Sequence, residues 1–456
     1  MSNRSGLQVD LLGTVEVLHE YLTSALCDGV WEDVREGERR RELCLSTLAE
    51  FWTAVILRAP ESLTQALAEA NGALAGGAGS SYPRLDVTSQ GFFARCKTLR
   101  PEFFERLFEA FRARLEDTEP PCFAVRYHDL ARRFGGRVWM LDGSSLDQVA
   151  RRLKVLWNDR RVPIPGMVVA FYDLCRGRLA RLRHTRELQP QEGPCARALM
   201  AEVPAGTLVV GDRLYGQPIF LASASANGVS MLVRRSRKVN FVPEKRLSHR
   251  RVGGAQIEEW IGTFGTHPDT KAQHVRLIRS RQGRRCFELV TNVLASEQLG
   301  AEEALDLYRK RWQVERLFFE LKEVLNLHRF YAGNLNAVAM QIYAAAIVHL
   351  AFKAAQARIA RSAGIEPETL SAQKLFPRVA AASTSLATAE LTFTAIQRAN
   401  PGVRLKKPDW RDMPFARVKL ADVLVEKRGP GGRKNRIKPD GRRLRRLPPD
   451  RRKGHA

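Results

Sequence analysis

Apolar residues recur at helical spacing along the first quarter of the chain. Between Leu48 and Ile56 they stand at offsets of 0, 3, 4, 7 and 8, which places them on one face of an amphipathic helix. Ser62 is suited to cap the helix that follows. A similar pattern of phenylalanines and leucines covers residues 101–115. We therefore predict a helical N-terminal domain over residues 1–120.

The pattern changes to short apolar runs from about residue 137. Four runs are typical of strands, with Arg176-Gly177 as a hairpin turn and a helix over 190–202 before the fourth run. These strands are predicted at 138–141, 167–172, 178–184 and 208–210. Further strand-like runs predict a β-rich segment over about 214–290. Helices are then predicted from residue 300 to about 400, so the fold class is α/β, and α+β overall.

One helical run, residues 337–352, is apolar enough to require a membrane test. Its 16 residues are fewer than the ~20 that a membrane-spanning helix needs. We therefore predict a buried core helix at this position and no membrane association. The start of the chain also lacks the long apolar run of a signal peptide.

Charge indicates the kind of partner. The chain has 74 Lys and Arg against 49 Asp and Glu, a net charge of +25, which favours a polyanion such as nucleic acid. Residues 427–456 carry 13 Lys and Arg against two Asp, and we predict a basic disordered tail over 421–456. The seven cysteines include no C-x-x-C pair, which argues against a disulfide scaffold and against a zinc site.

Two aspartates follow predicted strands. Asp142 comes directly after the strand 138–141, and Asp212 follows 208–210 with one glycine between. Carboxylates at the ends of neighbouring strands meet at one edge of a sheet, where sites of α/β folds form. The alternative is that each is an ordinary turn or cap aspartate. Asp147 and Asp173 are further carboxylates near the first two strands.

The predicted helix over 300–325 carries four polar residues in a stripe. Tyr308, Arg311, Glu315 and Lys322 stand at offsets of 0, 3, 7 and 14. At ~100° per residue they fall within an arc of about 60°. The alternative is a solvated face with an ordinary Arg311–Glu315 charge pair. Apolar neighbours such as Trp312 and Phe318 favour a packed helix instead.

Three acids suit metal ions. Carboxylate oxygens are preferred ligands of Mg²⁺, which also binds substrate phosphates. Two ions about 4 Å apart can activate a water or a 3′-hydroxyl and stabilise the leaving oxygen. Asp142, Asp212 and Glu315 are the candidate ligands, and Arg311 and Lys322 would then bind adjacent phosphates.

Together these residues resemble a known family. The spacing Tyr, two residues, Arg, three residues, Glu, six residues, Lys is the signature of IS4-type transposases, which carry a DDE triad on an RNase H-like core. Tyr308, Arg311, Glu315 and Lys322 match it at every position. The segments Asp142-Gly143-Ser144-Ser145 and Gly211-Asp212-Arg213-Leu214-Tyr215-Gly216 resemble the family's two aspartate regions. The resemblance covers roughly residues 135–350.

The resemblance implies a fold and an activity. It implies an RNase H-like mixed-sheet catalytic domain over 121–420, with the β-rich insertion at about 214–290 and C-terminal helices from about 335. It implies cut-and-paste transposition, in which terminal inverted repeats are bound, cut and joined to target DNA. Asp142, Asp212 and Glu315 would be the catalytic and metal-binding residues, holding two Mg²⁺ ions for which Mn²⁺ can substitute.

Further contacts with DNA follow from the same resemblance. Tyr308, Arg311 and Lys322 would bind the DNA, and Arg213 is a candidate phosphate contact. Some relatives form a DNA hairpin and stack a flipped base on an insertion-domain Trp; the corresponding position here is Phe287, with Trp260 as an unassigned alternative. A plain core phenylalanine is the other interpretation of Phe287.

The remaining expectations concern partners and location. Double-stranded DNA, as transposon ends and target, is the expected partner, with a homodimer in the synaptic complex and no membrane. The expected location is the bacterial cytoplasm, at the nucleoid. The N-terminal domain is the candidate reader of the terminal repeats. Two alternatives stay open: a non-catalytic or domesticated DNA-binding regulator, and an RNase H-like nuclease without strand transfer.

Overall fold

The computed structural model describes residues 7–72, 82–145, 167–185, 191–265, 272–327, 329–400 and 404–426. The chain divides into two units, Met1–Leu424 and Val425–Ala456. Most of the predicted basic tail and the carboxylate Asp147 lie outside the described residues.

The described helices and strands alternate only in the middle of the chain. The helices are α1 (Gly13–Tyr21), α2 (Ser24–Val34), α3 (Leu45–Arg58), α4 (Leu63–Ala70), α5 (Ser89–Thr98), α6 (Glu102–Thr118), α7 (His128–Arg132), α8 (Glu192–Met200), α9 (Pro218–Ala226), α10 (Ala301–Arg309), α11 (Trp312–Phe319), α12 (Leu335–Ala363) and α13 (Ala372–Ala399). The strands are β1 (Gln8–Asp10), β2 (Val138–Ser145), β3 (Met167–Asp173), β4 (Arg178–Thr185), β5 (Leu208–Gly211), β6 (Ser230–Arg234), β7 (Phe241–Val252), β8 (Ala255–Phe264), β9 (Gln273–Gln282), β10 (Arg285–Thr291) and β11 (Arg417–Lys419).

Five strands form the core of a nine-stranded sheet in the order β4-β3-β2-β5-β6. The first three pair antiparallel, with Gly177 at a φ of 66° in the β3–β4 turn, which a glycine adopts without strain. Strands β5 and β6 then continue the sheet parallel to β2. This order and these directions are those of an RNase H-like sheet. The fold class predicted from the sequence is therefore confirmed.

The β-rich segment extends this same sheet. Strand β10 pairs antiparallel with β6, and β9, β8 and β7 follow outward in that order. The predicted segment at 214–290 therefore starts too early, because α9 and β6 belong to the core. The sequence pattern also missed β8, because its buried positions include Glu259 as well as Ile257 and Phe264 and form no continuous apolar run.

The helices before residue 120 and those after residue 330 pack together on one face of the sheet. Helices α1, α3 and α6 all contact α12, and their apolar side chains join one hydrophobic cluster. The predicted boundary near residue 120 therefore does not separate two compact units. A second cluster, with residues from α8 and α9, covers the other face of the sheet.

Helix α12 is the core helix that the apolar run predicted. By length and composition, α12 and α13 are both apolar enough to cross a membrane, but 89% of the most apolar window of α12 is buried inside the protein. The corresponding share of α13 is 33%. Burial of α12 by helices from the N-terminal part of the chain explains its apolar composition.

The predicted single helix over 300–325 is wrong in its continuity. Helix α10 ends at Arg309, α11 begins at Trp312, and the two are joined by a tight turn with i→i+3 backbone bonds at Lys310 and Arg311. A π-helical turn, Glu320–Val324, follows α11 directly. The stripe of polar residues therefore does not lie on one regular helix.

Candidate active site

Asp142 lies inside strand β2 rather than after it, which corrects the sequence-based placement. Pairing with β3 continues to Ser145, whereas pairing with the parallel strand β5 ends at Met140. Asp142 is therefore level with the point where β5 ends. Its side chain is 19% exposed. The aspartate is still at the carboxyl edge of the parallel pair, where the second aspartate region begins.

Asp212 directly follows the last residue of β5, Gly211. Its carboxylate accepts a hydrogen bond from the Leu214 backbone N–H at 2.6 Å, so it also shapes the turn after the strand. Burial is the main cause that raises the pKa of Asp142, and the charge of Asp212 adds to it. Because Met140 pairs with Val210 in the parallel register, Asp142 and Asp212 are level with each other. The structure thus places both predicted aspartates at one edge of the sheet.

Arg311 joins the first aspartate to the glutamate of the motif. Its guanidinium lies 3.7 Å from the Asp142 carboxylate and donates to Glu315 at 2.6 Å. The i,i+4 pair expected on a solvated face does form, but Arg311 is only 14% exposed and also reaches across to the sheet. Glu315 is 38% exposed and is therefore more accessible to a partner in solution than Asp142, which is 19% exposed.

Lys322 reaches the same strand from the π-helical turn. Its ammonium donates to the Ser144 hydroxyl at 2.6 Å, two residues after Asp142. Burial lowers the pKa of Lys322. The irregular helix therefore brings Arg311, Glu315 and Lys322 to β2 although it does not keep the predicted arc.

Tyr308 lies against Phe287 from the sheet extension. The two rings are 5.3 Å apart and tilted by 60°, and the Arg234 guanidinium lies 5.2 Å from the Phe287 ring centre. Burial raises the pKa of Tyr308 to about 12, so its hydroxyl stays protonated and can donate. Phe287 is half-buried and therefore is neither a plain core residue nor an open stacking surface.

The other sequence candidates stand apart from these contacts. Arg213 is exposed beside Asp212. Trp260 lies in β8 with the Arg246 guanidinium 5.7 Å from its ring. Asp173 is buried, caps the β3–β4 turn through the Cys175 N–H at 2.9 Å and accepts from Trp139, so it is a structural carboxylate.

Two residues of the site were missed by the sequence interpretation. Glu192, the first residue of α8, is half-buried and accepts a hydrogen bond from the Tyr215 hydroxyl at 2.5 Å. The Glu192 carboxyl group packs directly against Gly143. A Cβ on residue 143 would come within 2.6 Å of the Glu192 carboxyl carbon, so only glycine fits there without a shift. The only sequence signal was the glycine after Asp142, because Glu192 has no fixed spacing to either aspartate.

Negative charge accumulates at this edge of the sheet. Burial, together with the charges of Glu192 and Asp212, raises the pKa of Asp142 to about 7, although the Gly143 N–H and Arg311 oppose the shift. Burial also raises the pKa of Glu192, with a further contribution from Asp212. Arg311 opposes the shift at Asp142, and a divalent cation would offset more of this negative charge.

The predicted metal ligands are not assembled as a ready site. Among the described residues, no group of three His, Cys, Asp or Glu side chains is arranged to hold a metal ion. Arg311 instead lies against both Asp142 and Glu315. The donor chemistry fits a hard cation, but Glu315 would have to exchange its arginine for it.

The resemblance implied this arrangement. An RNase H-like sheet carries one aspartate on its first strand and another directly after its fourth, and a following helix carries the glutamate. Residues 159–351 match the family model described as a transposase DDE domain, a range that includes Asp212, Glu315 and Lys322 but begins after Asp142. The resemblance to DDE-type transposases is thereby confirmed.

Two curated proteins add to this match. A transposase of the insertion sequence element IS4SA from Synechocystis sp. is 41% identical over 71 residues, which are 15% of this chain and 21% of that protein. A transposase of the element IS5377 from Geobacillus stearothermophilus is 33% identical over 162 residues, 35% of this chain and 41% of that protein. The chain thus matches less than half the length of either relative.

One solved structure aligns along most of the chain. It is a piggyBac transposase synaptic complex with hairpin DNA, and the alignment covers 93% of this chain and 87% of that one. The sequence identity is 12% and the TM-score is 0.39.

Proposed function

We propose that the chain is a DNA transposase that binds the terminal inverted repeats of an insertion sequence, cuts the DNA at each end and joins it to a target. The observation that carries the proposal is the meeting of Asp142, Arg311 and Glu315 beside Asp212 at the edge of an RNase H-like sheet. The match to a transposase DDE domain supports it.

In this proposal a divalent cation, Mg²⁺ or Mn²⁺, would be held by Asp142, Asp212 and Glu315. Such ions activate an attacking water or 3′-hydroxyl and stabilise the leaving oxygen of a phosphodiester. The excess of carboxylates around Asp142 supports this assignment. Arg311 holds Asp142 and Glu315 together before DNA arrives, and a phosphate is a natural new partner for its guanidinium.

The remaining residues of the motif would bind and orient the DNA. Lys322 is held beside Asp142 by Ser144 and can neutralise a neighbouring phosphate. The protonated hydroxyl of Tyr308 can donate to another phosphate oxygen. Phe287 offers a face for a displaced base once the Arg234 guanidinium leaves its ring. Arg213, exposed beside Asp212, is a further phosphate contact.

The charge of the chain supports a DNA partner. With a net charge of +25, binding to the duplex should be strong and should weaken steeply with salt. The helices of residues 1–120 are the proposed readers of the terminal repeats, and the basic tail adds non-specific phosphate contacts. Two DNA ends must be cut together, so we propose a homodimer on DNA, acting at the nucleoid in the bacterial cytoplasm.

The experiment first identifies short inverted repeats in the DNA that flanks the gene. Duplexes that carry these repeats are then the substrates. Glu315→Gln should bind these duplexes as tightly as the wild type and lose strand cleavage in Mg²⁺, because only the carboxylate charge is removed. Glu302→Gln, an exposed glutamate on α10, is the matched control and should cleave normally. Normal cleavage by Glu315→Gln would contradict the assignment.

The pairing of Glu315 with Arg311 also favours a second candidate, a non-catalytic DNA-binding regulator descended from a transposase. If the Arg311 guanidinium stayed paired with Asp142 and Glu315, the protein would still bind DNA but would not cleave it. Wild-type protein that binds the repeats and never cuts them would support this candidate. Cutting without joining to a target duplex would indicate an RNase H-like nuclease instead.

A further inference from the structure

We propose that Tyr215 and Glu192 form a brace that positions the two aspartate-bearing segments relative to each other. The proposal rests on the proposed function, since it assigns Asp142 and Asp212 to one cation-dependent centre. The brace consists of the Tyr215 hydroxyl, the Glu192 carboxylate and the Gly143 backbone. Glu192 and Tyr215 are positioning residues in this proposal, because they act through the aspartates.

One end of the brace is fixed to the Asp212 segment. Tyr215 is three residues after Asp212 and is fully buried, with its ring 5.2 Å from that of Phe220 in an edge-on contact. A Cβ on Gly211 would come within 2.9 Å of the Tyr215 ring, so the glycine lets this ring pack against the end of β5. The ring position therefore follows the segment that carries Asp212.

The middle of the brace is the Glu192 carboxylate. It accepts from the Tyr215 hydroxyl at 2.5 Å, a length typical of a hydrogen bond to a charged oxygen. Glu192 is also the first residue of the nine-residue helix α8, where the free N–H groups favour a carboxylate. Glu192 is thereby held in place from its own helix and from the Asp212 segment.

The other end of the brace is the strand that carries Asp142. The Gly143 N–H donates to the Asp142 carboxylate at 3.0 Å. Burial raises the pKa of Glu192, and a hydrogen bond from the same N–H partly opposes that rise. A Cβ at position 143 would come within 2.6 Å of the Glu192 carboxyl carbon, so the two groups are in direct contact. A shift of Glu192 would therefore shift the backbone next to Asp142.

The charges explain why a brace is needed at this point. Asp142, Asp212 and Glu192 repel one another, and β2 and β5 are no longer paired beyond Met140. Without a tie, the two aspartates would separate at the open end of the parallel pair. A chain of contacts from Tyr215 to Gly143 opposes this separation, and a cation that bridges both aspartates depends on it.

The test measures Mn²⁺ binding to the full-length protein by electron paramagnetic resonance, alone and with a DNA duplex whose phosphates can take over Arg311, and the duplex by itself gives the background. Tyr215→Phe removes only the hydroxyl and keeps the ring, and it should weaken Mn²⁺ binding by about tenfold, the usual effect of losing a partner behind a metal ligand. Glu192→Ala should do the same. Glu192→Gln keeps an oxygen that accepts from Tyr215 and should bind Mn²⁺ within about threefold of the wild type.

The matched control is Tyr343→Phe, which removes a buried tyrosine hydroxyl that contacts Glu105 outside the site. It should leave Mn²⁺ binding unchanged. Equal losses in Glu192→Gln and Glu192→Ala would overturn the brace, because the carboxylate would then act through its charge. Unchanged binding in Tyr215→Phe would overturn it as well.

The proposed function fails in a different way. If the wild type does not bind Mn²⁺, or if Asp142→Asn binds it equally well, the cation centre itself is refuted, and the brace with it. If the wild type binds Mn²⁺, Asp142→Asn does not, and Tyr215→Phe binds normally, the centre stands and only the brace is wrong.

Discussion

The carboxylate of Glu320 is buried at the start of the π-helical turn and is held by two side chains of the core helix α12. The Lys353 ammonium lies 3.0 Å from it and His349 Nε2 lies 3.2 Å from it. Although burial raises the pKa of Glu320, Lys353 and His349 lower it well below its ordinary value. The perturbation is Lys353→Met, which keeps the length of the side chain and removes the charge.

The expected cost follows from burial. Glu320 is 3% exposed and Lys353 is 5% exposed, so neither charge is compensated by water. Breaking a buried pair by removing one partner costs about 3–5 kcal/mol, because the remaining charge stays buried. Arg316 still reaches Glu320 at 3.3 Å, so we expect the lower end, about 3 kcal/mol.

Thermal unfolding is the assay. At about 2.1 cal/mol/K per residue, roughly 420 residues have an unfolding entropy of about 0.9 kcal/mol/K, so the loss should lower Tm by about 3 °C. Lys97→Met, at an exposed lysine on α5, is the matched control and should change stability by less than about 0.5 kcal/mol. Lys353→Met should also slow DNA cleavage, because the π-helical turn that it loosens carries Lys322.

The double variant with Glu320→Gln decides the interpretation. If the two charges stabilise each other, the double variant should be more stable than the sum of the single losses predicts. Additive losses would refute the reasoning, as would an unchanged Tm in Lys353→Met. A lowered folded-state pKa also means that Glu320 stabilises the fold above its ordinary pKa and loses that contribution as pH falls, so Glu320→Gln should flatten the acid limb of the stability profile.

Three further predictions concern the site. A folded-state pKa raised from 3.8 to about 7 means that Asp142 begins to destabilise the metal-free fold above about pH 4 and does so fully above about pH 7. Asp142→Asn should therefore stabilise the fold by at most about 4 kcal/mol at pH 8 and leave Tm nearly unchanged at about pH 3.5; a lower Tm at pH 8 would contradict this. Gly216→Ala places a Cβ against the Arg234 carbonyl oxygen and should cost about 1–3 kcal/mol in urea unfolding; wild-type stability would show that the backbone there yields freely. Lys322→Ala should slow cleavage about 100-fold in single-turnover assays while Tm changes by less than about 2 °C; an unchanged cleavage rate would remove Lys322 from the proposed phosphate contacts.

Local patterns predicted the elements well where one face is buried along a whole element. Helix α3 follows the apolar repeat that begins at Leu48, and Ser62 caps α4 by accepting from the Gln65 N–H at 3.1 Å. The β3–β4 hairpin turns at Gly177 as predicted. In these cases spacing and turn chemistry are enough, because each residue acts on neighbours within a few positions.

The site was predicted only in part, because its geometry depends on distant contacts. The motif spacing identified Arg311, Glu315 and Lys322. The prediction that one regular helix places them side by side was wrong, however. The tight turn at Arg311 and the π-helical turn at Glu320 bring them to β2, and Lys353 and His349 hold the second turn from another helix. Glu192 and Tyr215 were missed because nothing in their local sequence indicates that they meet.

The sequence by itself determined the basic charge, the order of helices and strands, and the acids and cations of the motif, since these depend on composition and short-range periodicity. Only the tertiary structure decided that the N-terminal helices share a core with α12, that the β-rich segment continues the central sheet, and that Arg311 lies between Asp142 and Glu315. The physical reason is that burial and charge pairing act between residues far apart in sequence, and their partners are set only when the chain has packed.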